Sequence, residues 1–471
     1  MPARFARLAG RAAALGERAY GGECMSFAQI ARLLWPLFID SLFIQAINFV
    51  NTYMIAGYGQ EAVSAVSMIG SVHSFIANLF VAVATGCAVV VAQYCGMKNM
   101  RSARRAAAQA VASSVLIAAL VAALLIVFDD ELIGLLLGRA VPLMQDYGKI
   151  FLIGNAVSYP FFAAVQTVMS ALRGAGASKT SIVFSSGLNL ANVLLNAILL
   201  NAFKMGVAGL SIAAVASRAV FAVAAVAYMF WPHSSLKASL PDFVKPDLRL
   251  QRSILYVAVP AALEQVFFHG GRILTQVFIV WFGTASTTAN AIVVPFSSLL
   301  QICGLAMQTG IVTIAGQCIG MGRPAEARRY IKLITLSSIV ASALLSLLFF
   351  PFIRPYLGFF GMEPEAWRMA YALNVALLFG TPLTWCISFV PPSGLRAGGD
   401  TVFTSVASLA CMWIVRVGLG YWLGVSMRYG LYGIWAAMLA EWVVRGAVFL
   451  WRLRGDKWHR HEVIREPGGA R

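Results

Sequence analysis

Charge is what this chain has least of. Of its 471 residues 12% are charged and only 19 are acidic, against 60% that are hydrophobic. That excludes an ordinary soluble globule, in which about a quarter of the residues carry charge. Cysteine is scarce and odd in number: Cys24, Cys87, Cys95, Cys303, Cys318, Cys386 and Cys411 are scattered along the chain. Such spacing supports neither a disulfide framework nor a metal site. The glycine-rich loops at 173–178 and 396–401 lack the Lys-Ser/Thr ending of a phosphate loop and follow no strand. No cleavable signal peptide is evident, because residues 1–30 are rich in Ala and Arg and hold no apolar core. No catalytic residues stand out, so the chain is expected to be no enzyme and to hold no metal or cofactor.

What fills the chain is apolar sequence, with a mean hydropathy of +0.77. Bilayer-length runs recur twelve times, from 33–57 to 430–452, and helices are the spanning form that suits them. The net charge of +17 is not a nucleic-acid footprint. With the N-terminus inside, external loops hold six basic residues (Arg139, Lys149, Lys204, Arg354, Arg368, Arg428) and spans hold Arg218, Arg272, Arg416 and Arg445. The others fall on the cytoplasmic side, which is the positive-inside pattern. The expected layout is a basic cytoplasmic segment 1–32 lying along the membrane surface and a first lobe 33–231. A cytoplasmic linker 232–253, a second lobe 254–452 and a cytoplasmic tail 453–471 complete it.

The chain also repeats itself. Pro36, Asp40 and Gly59 correspond to Pro260, Glu264 and Gly283, an offset of 224 residues. Gln93 to Met97 with Arg104-Arg105 corresponds to Gln317 to Met321 with Arg328-Arg329, and Gly206 to Gly209 to Gly430 to Gly433. Leu172-Arg173-Gly174-Ala175-Gly176 and Leu395-Arg396-Ala397-Gly398-Gly399 match at 223. An even number of spans separates the copies, so both begin on the same side of the membrane. The fold class expected is an all-α membrane protein of twelve helices in two six-helix lobes, related by a pseudo-two-fold axis along the membrane normal. Substrate sites in such repeats lie between the halves.

Three acids alone fall well inside spans: Asp40, Glu264 and Glu441. A charge there costs at least about 2.5–3.5 kcal/mol, so each faces a cavity or a partner. Asp40 and Glu264 suit proton or cation binding, with helix packing as the alternative. Asp40 and Asn51 are separated by about 20° of rotation and about 16 Å of rise, so both can line one face. Asn48 lies on that span. Asn189, Asn192 and Asn196 form a stripe on the fifth span, either a cavity wall or interhelical glue. On the seventh span Gln265 and Arg272 share a face flanked by Glu264 and His269, while Arg416 on the eleventh matches Asn192. Arg272, Arg416 and His269 would make the second half electropositive and suit an anionic or zwitterionic ligand, unless Arg272 locks onto Glu264. Trp413 is a candidate pocket aromatic. Glu441 and Arg445 read as a structural i,i+4 ion pair, and Arg218 as a side chain that snorkels towards the cytoplasm.

The ordered motifs resemble the MATE (multidrug and toxic compound extrusion) family, within the multidrug/oligosaccharidyl-lipid/polysaccharide exporter superfamily. Phe49 to Thr52 with Ala56 to Gly59 is similar to its first-span pattern. Ala92-Gln93-Gly96, Gln317-Gly320 and the loops after spans four and ten are similar to its other landmarks. The resemblance covers about residues 30–455. It implies a monomeric, multi-pass efflux antiporter of the cell membrane that moves drugs or other small organic molecules among membrane lipid. It also implies coupling to H+, less readily Na+, through Asp40, Asn51, Asn192, Asn196 and Glu264. Asn51 and Asn196 stand where the family, or some of its branches, has an acid, and Trp385 where the sodium-coupled branch has one. A lipid-linked headgroup flippase and a non-transporting receptor or scaffold are the competing functions.

Overall fold

The computed structural model describes residues 21–55, 60–138, 140–245, 247–460 and 463–464, with the side chains of 48–55, 60 and 244 excepted. Twelve helical spans follow one another: α1 Phe27–Ile55, α2 Gln60–Gly96, α3 Met100–Val127, α4 Pro142–Gly174, α5 Ser178–Ala202 and α6 Gly206–Phe230. Then come α7 Leu248–Trp281, α8 (Thr284–Leu300 and Ile302–Gly320, end to end), α9 Pro324–Phe349, α10 Pro364–Ala397, α11 Thr401–Ser426 and α12 Gly430–Arg454. No strand occurs among the described residues. Several spans outrun the apolar runs that announce them. For example, α7 starts at Leu248 rather than 254, because polar residues continue a helix beyond the bilayer where backbone bonds are met internally.

Helix starts follow ordinary capping chemistry. Asn99 accepts from the Ser102 amide at 3.0 Å ahead of α3. Pro142, Pro324 and Pro364 open α4, α9 and α10, where a missing N–H costs nothing. In the linker, Ser239 and Asp242 form a capping box on a short helix, Leu240–Val244. That helix is fastened to α3 by Arg104, 3.2 Å from Asp242, and by Gln109, which donates to the Asp242 and Lys245 carbonyls.

The repeat is written into the backbone. Left-handed conformations occur in pairs at the same offset: Lys98 and Gly322, Lys204 and Arg428, Gly206 and Gly430, with Gly176 and Gly399 at 223. Both α5 and α11 end in one π-helical turn, Ile198–Ala202 and Trp422–Ser426. Arg173 donates to Ser181 at 3.3 Å, and its counterpart Arg396 to Thr404 at 3.2 Å, so each loop after the fourth helix of a half is stapled alike.

Two compact units emerge: Leu42–Gln265, and the described residues up to Ser41 together with those from Val266 onward. The repeat boundaries 33–231 and 254–452 give the apolar run of α1 to one lobe and that of α7 to the other, whereas packing divides both helices. In the first unit α4 is the hub, touching α2, α3, α5 and α6; in the second α10 is the hub, touching α8, α9 and α12. The first part of α1 packs on α8, where a Cβ on Gly310 would stand 2.2 Å from Leu34 Cδ2. At the equivalent crossing, α7 packs on α2, where a Cβ on Gly86 would stand 2.7 Å from the Ile254 carbonyl. Each half thus lends the opening of its first helix to the other unit. Leu116, Leu120 and Leu124 on α3, like Leu344 and Leu348 on α9, are exposed stripes at helical spacing, the face a lipid would cover.

Candidate functional site

The two repeat-equivalent carboxylates are equally buried and equally placed in their helices. Asp40 and Glu264 are each 7% exposed, four residues after a proline that removes one bond from the helix ladder. One residue beyond each, the helix passes from one compact unit to the other, between Ser41 and Leu42 in α1 and between Gln265 and Val266 in α7. Gln265 itself is half-buried. Asn48 and Asn51 belong to α1, but their side chains lie outside the described residues.

In the unit Leu42–Gln265 the asparagine stripe forms a hydrogen-bond chain. Asn196 donates to Asn192 Oδ1 at 3.2 Å, and Asn192 donates to Ser217 Oγ at 3.3 Å, tying α5 to α6. Asn189 turns back to the Ser185 carbonyl within its own helix. Arg218 does not snorkel. Its guanidinium turns into the unit and donates to Ser158 at 2.5 Å and to Asn155 at 3.4 Å. It also meets His73 Nε2 at 3.2 Å and lies over the Phe162 ring. A snorkelling arginine needs a route to the headgroups, and here three neutral acceptors meet it first. Such contact fixes His73 as the neutral tautomer that accepts at Nε2, while its Nδ1 faces the Tyr159 hydroxyl at 3.4 Å. Sequence reading missed His73, whose one signal was a histidine within an apolar helix.

In the other unit Glu441 and Arg445 are both buried and 3.2 Å apart, an ion-pair contact without hydrogen-bond alignment. Arg445 also donates from Nε to Ser388 at 2.6 Å and lies 3.9 Å above the Phe389 ring. Phe389 stacks on Trp385, which fills the space over Gly304. Arg416 is set in a π-helical stretch of α11, Cys411–Leu419. Such local widening is frequent at functional positions. Phe268 lies 6.0 Å from the Arg416 guanidinium carbon and 5.6 Å from that of Arg445. Arg272 is exposed one turn beyond Phe268, and no hydrogen bond or ion pair joins it to a described residue, so the expected lock to Glu264 does not form. The reason is local: Glu264 packs with the first unit, and Arg272 emerges from the second. His269 is half-buried, and Trp413 is partly exposed beside Gly270.

Comparison with known proteins converges on one family. The MatE family model matches residues 36–198 and again 260–422, an offset of 224 at both ends. An uncharacterized transporter, YisQ of Bacillus subtilis (strain 168), is 24% identical over 90% of this chain and 94% of its own length. The probable multidrug resistance protein NorM of Thermotoga maritima is 22% identical over 93% of this chain and 94% of its own. A crystal structure of a MATE protein in complex with MaD3S matches with a TM-score of 0.83 and 17% identity, covering 93% of this chain and 98% of that one. Fold and relatives indicate a transporter rather than an enzyme, spanning a membrane many times, and the chain belongs to the MATE family of multidrug efflux transporters.

Proposed function

We propose that this chain is a secondary antiporter of the cell membrane, exporting drugs or other small organic molecules by alternating access in exchange for protons. It acts as a monomer, with both termini and the 232–253 linker in the cytoplasm, as the charge asymmetry supports. The observation that carries the proton reading is the pair Asp40 and Glu264, equally buried and each next to the point where its helix changes unit. A carboxyl in a membrane span is a position where a bound proton changes the local charge. Sodium would need several converging oxygens. The described candidates Asn192 and Asn196 already bond to each other and to Ser217, and Trp385 fills its own site with carbon.

Inverted vesicles carrying the full chain test this under separately imposed proton and sodium gradients. Uptake of a fluorescent cationic or anionic dye that responds to the pH gradient alone is expected. Uptake that follows the sodium gradient alone would refute proton coupling.

A further inference from the structure

The unit from Val266 onward holds three arginines inside its spans, Arg272, Arg416 and Arg445, of which Arg445 is buried and paired while Arg416 is half-buried and Arg272 exposed. Glu441 lies within electrostatic range of Arg416, and Arg445 pairs with it. Arg445 is also held by Ser388 and Phe389, with its Nη2 left without a hydrogen-bond partner among the described residues. Arg416 is left within electrostatic range of Glu441, Arg272 and Arg445, yet no hydrogen bond or ion pair joins its side chain to a described residue. The side chain is half-buried within a membrane span, so its N–H donors stay open to a ligand there. Arg218 in the other unit differs, because neutral acceptors already hold its guanidinium.

We propose that Arg416 and Arg272 form an oxyanion site, gripping the carboxylate or phosphate of an organic anion whose aromatic face lies against Phe268 and Trp413. This rests on the export reading and names the substrate class for it. The guanidinium fork is matched to two oxygens of one carboxylate or phosphate. Two such cations repel the cationic drugs that an acidic cavity would attract. Phe268 is already an aromatic wall beside Arg416, and Trp413 approaches α7 at Gly270. Arg416 sits in a π-helical stretch of α11, a backbone form frequent at functional positions. An anion leaving a negatively charged cytoplasm is also helped outward by the membrane potential.

The test uses the full-length protein in phosphatidylcholine nanodiscs with no ion gradient, titrated with phenyl phosphate, benzoate and phenyltrimethylammonium and followed by calorimetry. Both anions are expected to bind and the cation to fail. Arg416→Gln and Arg272→Gln should each weaken phenyl phosphate at least about tenfold, the scale of a lost charged hydrogen bond. Arg454→Gln, at the exposed end of α12, should change nothing. Arg272 is exposed, so its variant decides the matter should Arg416→Gln fail to fold. Repeating the titration in discs containing phosphatidylglycerol separates the sources of the oxyanion. Competition there assigns the site to a lipid headgroup, and no competition to a soluble anion; either upholds the site. Unchanged anion binding in both variants, or tighter binding of the cation than of either anion, overturns it. Anion binding is read here without any ion gradient and proton coupling in vesicles with one, so failure of proton coupling and failure of the anion site are told apart.

Discussion

Residue 192 in α5 is asparagine, and its repeat counterpart, residue 416 in α11, is arginine. Their neighbours differ in step: Ser217 in the first half corresponds to Glu441 in the second. In α5 the outcome is a neutral bond, Asn192 to Ser217 at 3.3 Å. In the second half a third residue, Arg445, captures Glu441 and leaves Arg416 over. Both helices close with the same π turn, but only α11 has a further π stretch around the changed residue. The duplicated backbone therefore sets where a polar residue sits, and the substitutions decide what that place can bind. Asp40 and Glu264 make the opposite case, since position, burial and chemistry all stayed equivalent.

The largest effect should come from the matched carboxylates. Asp40→Asn keeps the shape and removes the titration, so proton-driven efflux should vanish while the protein remains folded and still binds substrate. Glu264→Gln should reduce efflux as well, because its burial and its place in the repeat are the same. Wild-type efflux from Asp40→Asn under a pH gradient alone would show that the acid is structural.

The neutral and charged versions of the α5/α11 contact should differ next. Glu441→Ala leaves Arg445 buried and unpaired, which costs about 3–5 kcal/mol. Ser217→Ala removes one neutral interhelical bond, worth about 0.6 kcal/mol in membranes. Unfolding in mixed micelles measures both, and similar losses would contradict the contrast drawn between the halves.

A smaller asymmetry belongs to the helix crossings. A Cβ at Gly86 meets a backbone carbonyl, whereas one at Gly310 meets the end of a leucine side chain that can turn away. Gly86→Ala should therefore cost about 1–3 kcal/mol and Gly310→Ala less. The reverse order would mean that the α7 crossing adapts more easily than the α1 crossing.

The smallest effects should be the most alike. Lys204 and Arg428 hold left-handed conformations at φ 52° and 61°. Each carries a penalty of about 1 kcal/mol that glycine avoids, offset by glycine's greater freedom when unfolded. Lys204→Gly and Arg428→Gly should shift stability by the same small amount. Clearly unequal shifts would mean that the loops share a shape but not an energy.

Much of this was legible in one dimension. Twelve apolar runs predict twelve spans, because a bilayer demands length and hydropathy and both are local properties. Register between the halves was readable from Pro36 and Pro260, Arg173 and Arg396, Gly206 and Gly430, since turns and kinks depend on a few adjacent residues. Even the equal burial of Asp40 and Glu264 is in keeping with their matched places in the runs. Partnership was not legible. That Arg218 turns inward to His73, that Arg445 rather than Arg416 takes Glu441, and that Arg272 does not reach Glu264 depend on helices far apart in sequence. Long side chains settle on whichever donor or acceptor packing brings near, and hydropathy carries no record of that. The division of α1 and α7 between the units is of the same kind. It arises where Leu34 meets Gly310 and Ile254 meets Gly86, contacts that exist only once the helices have packed.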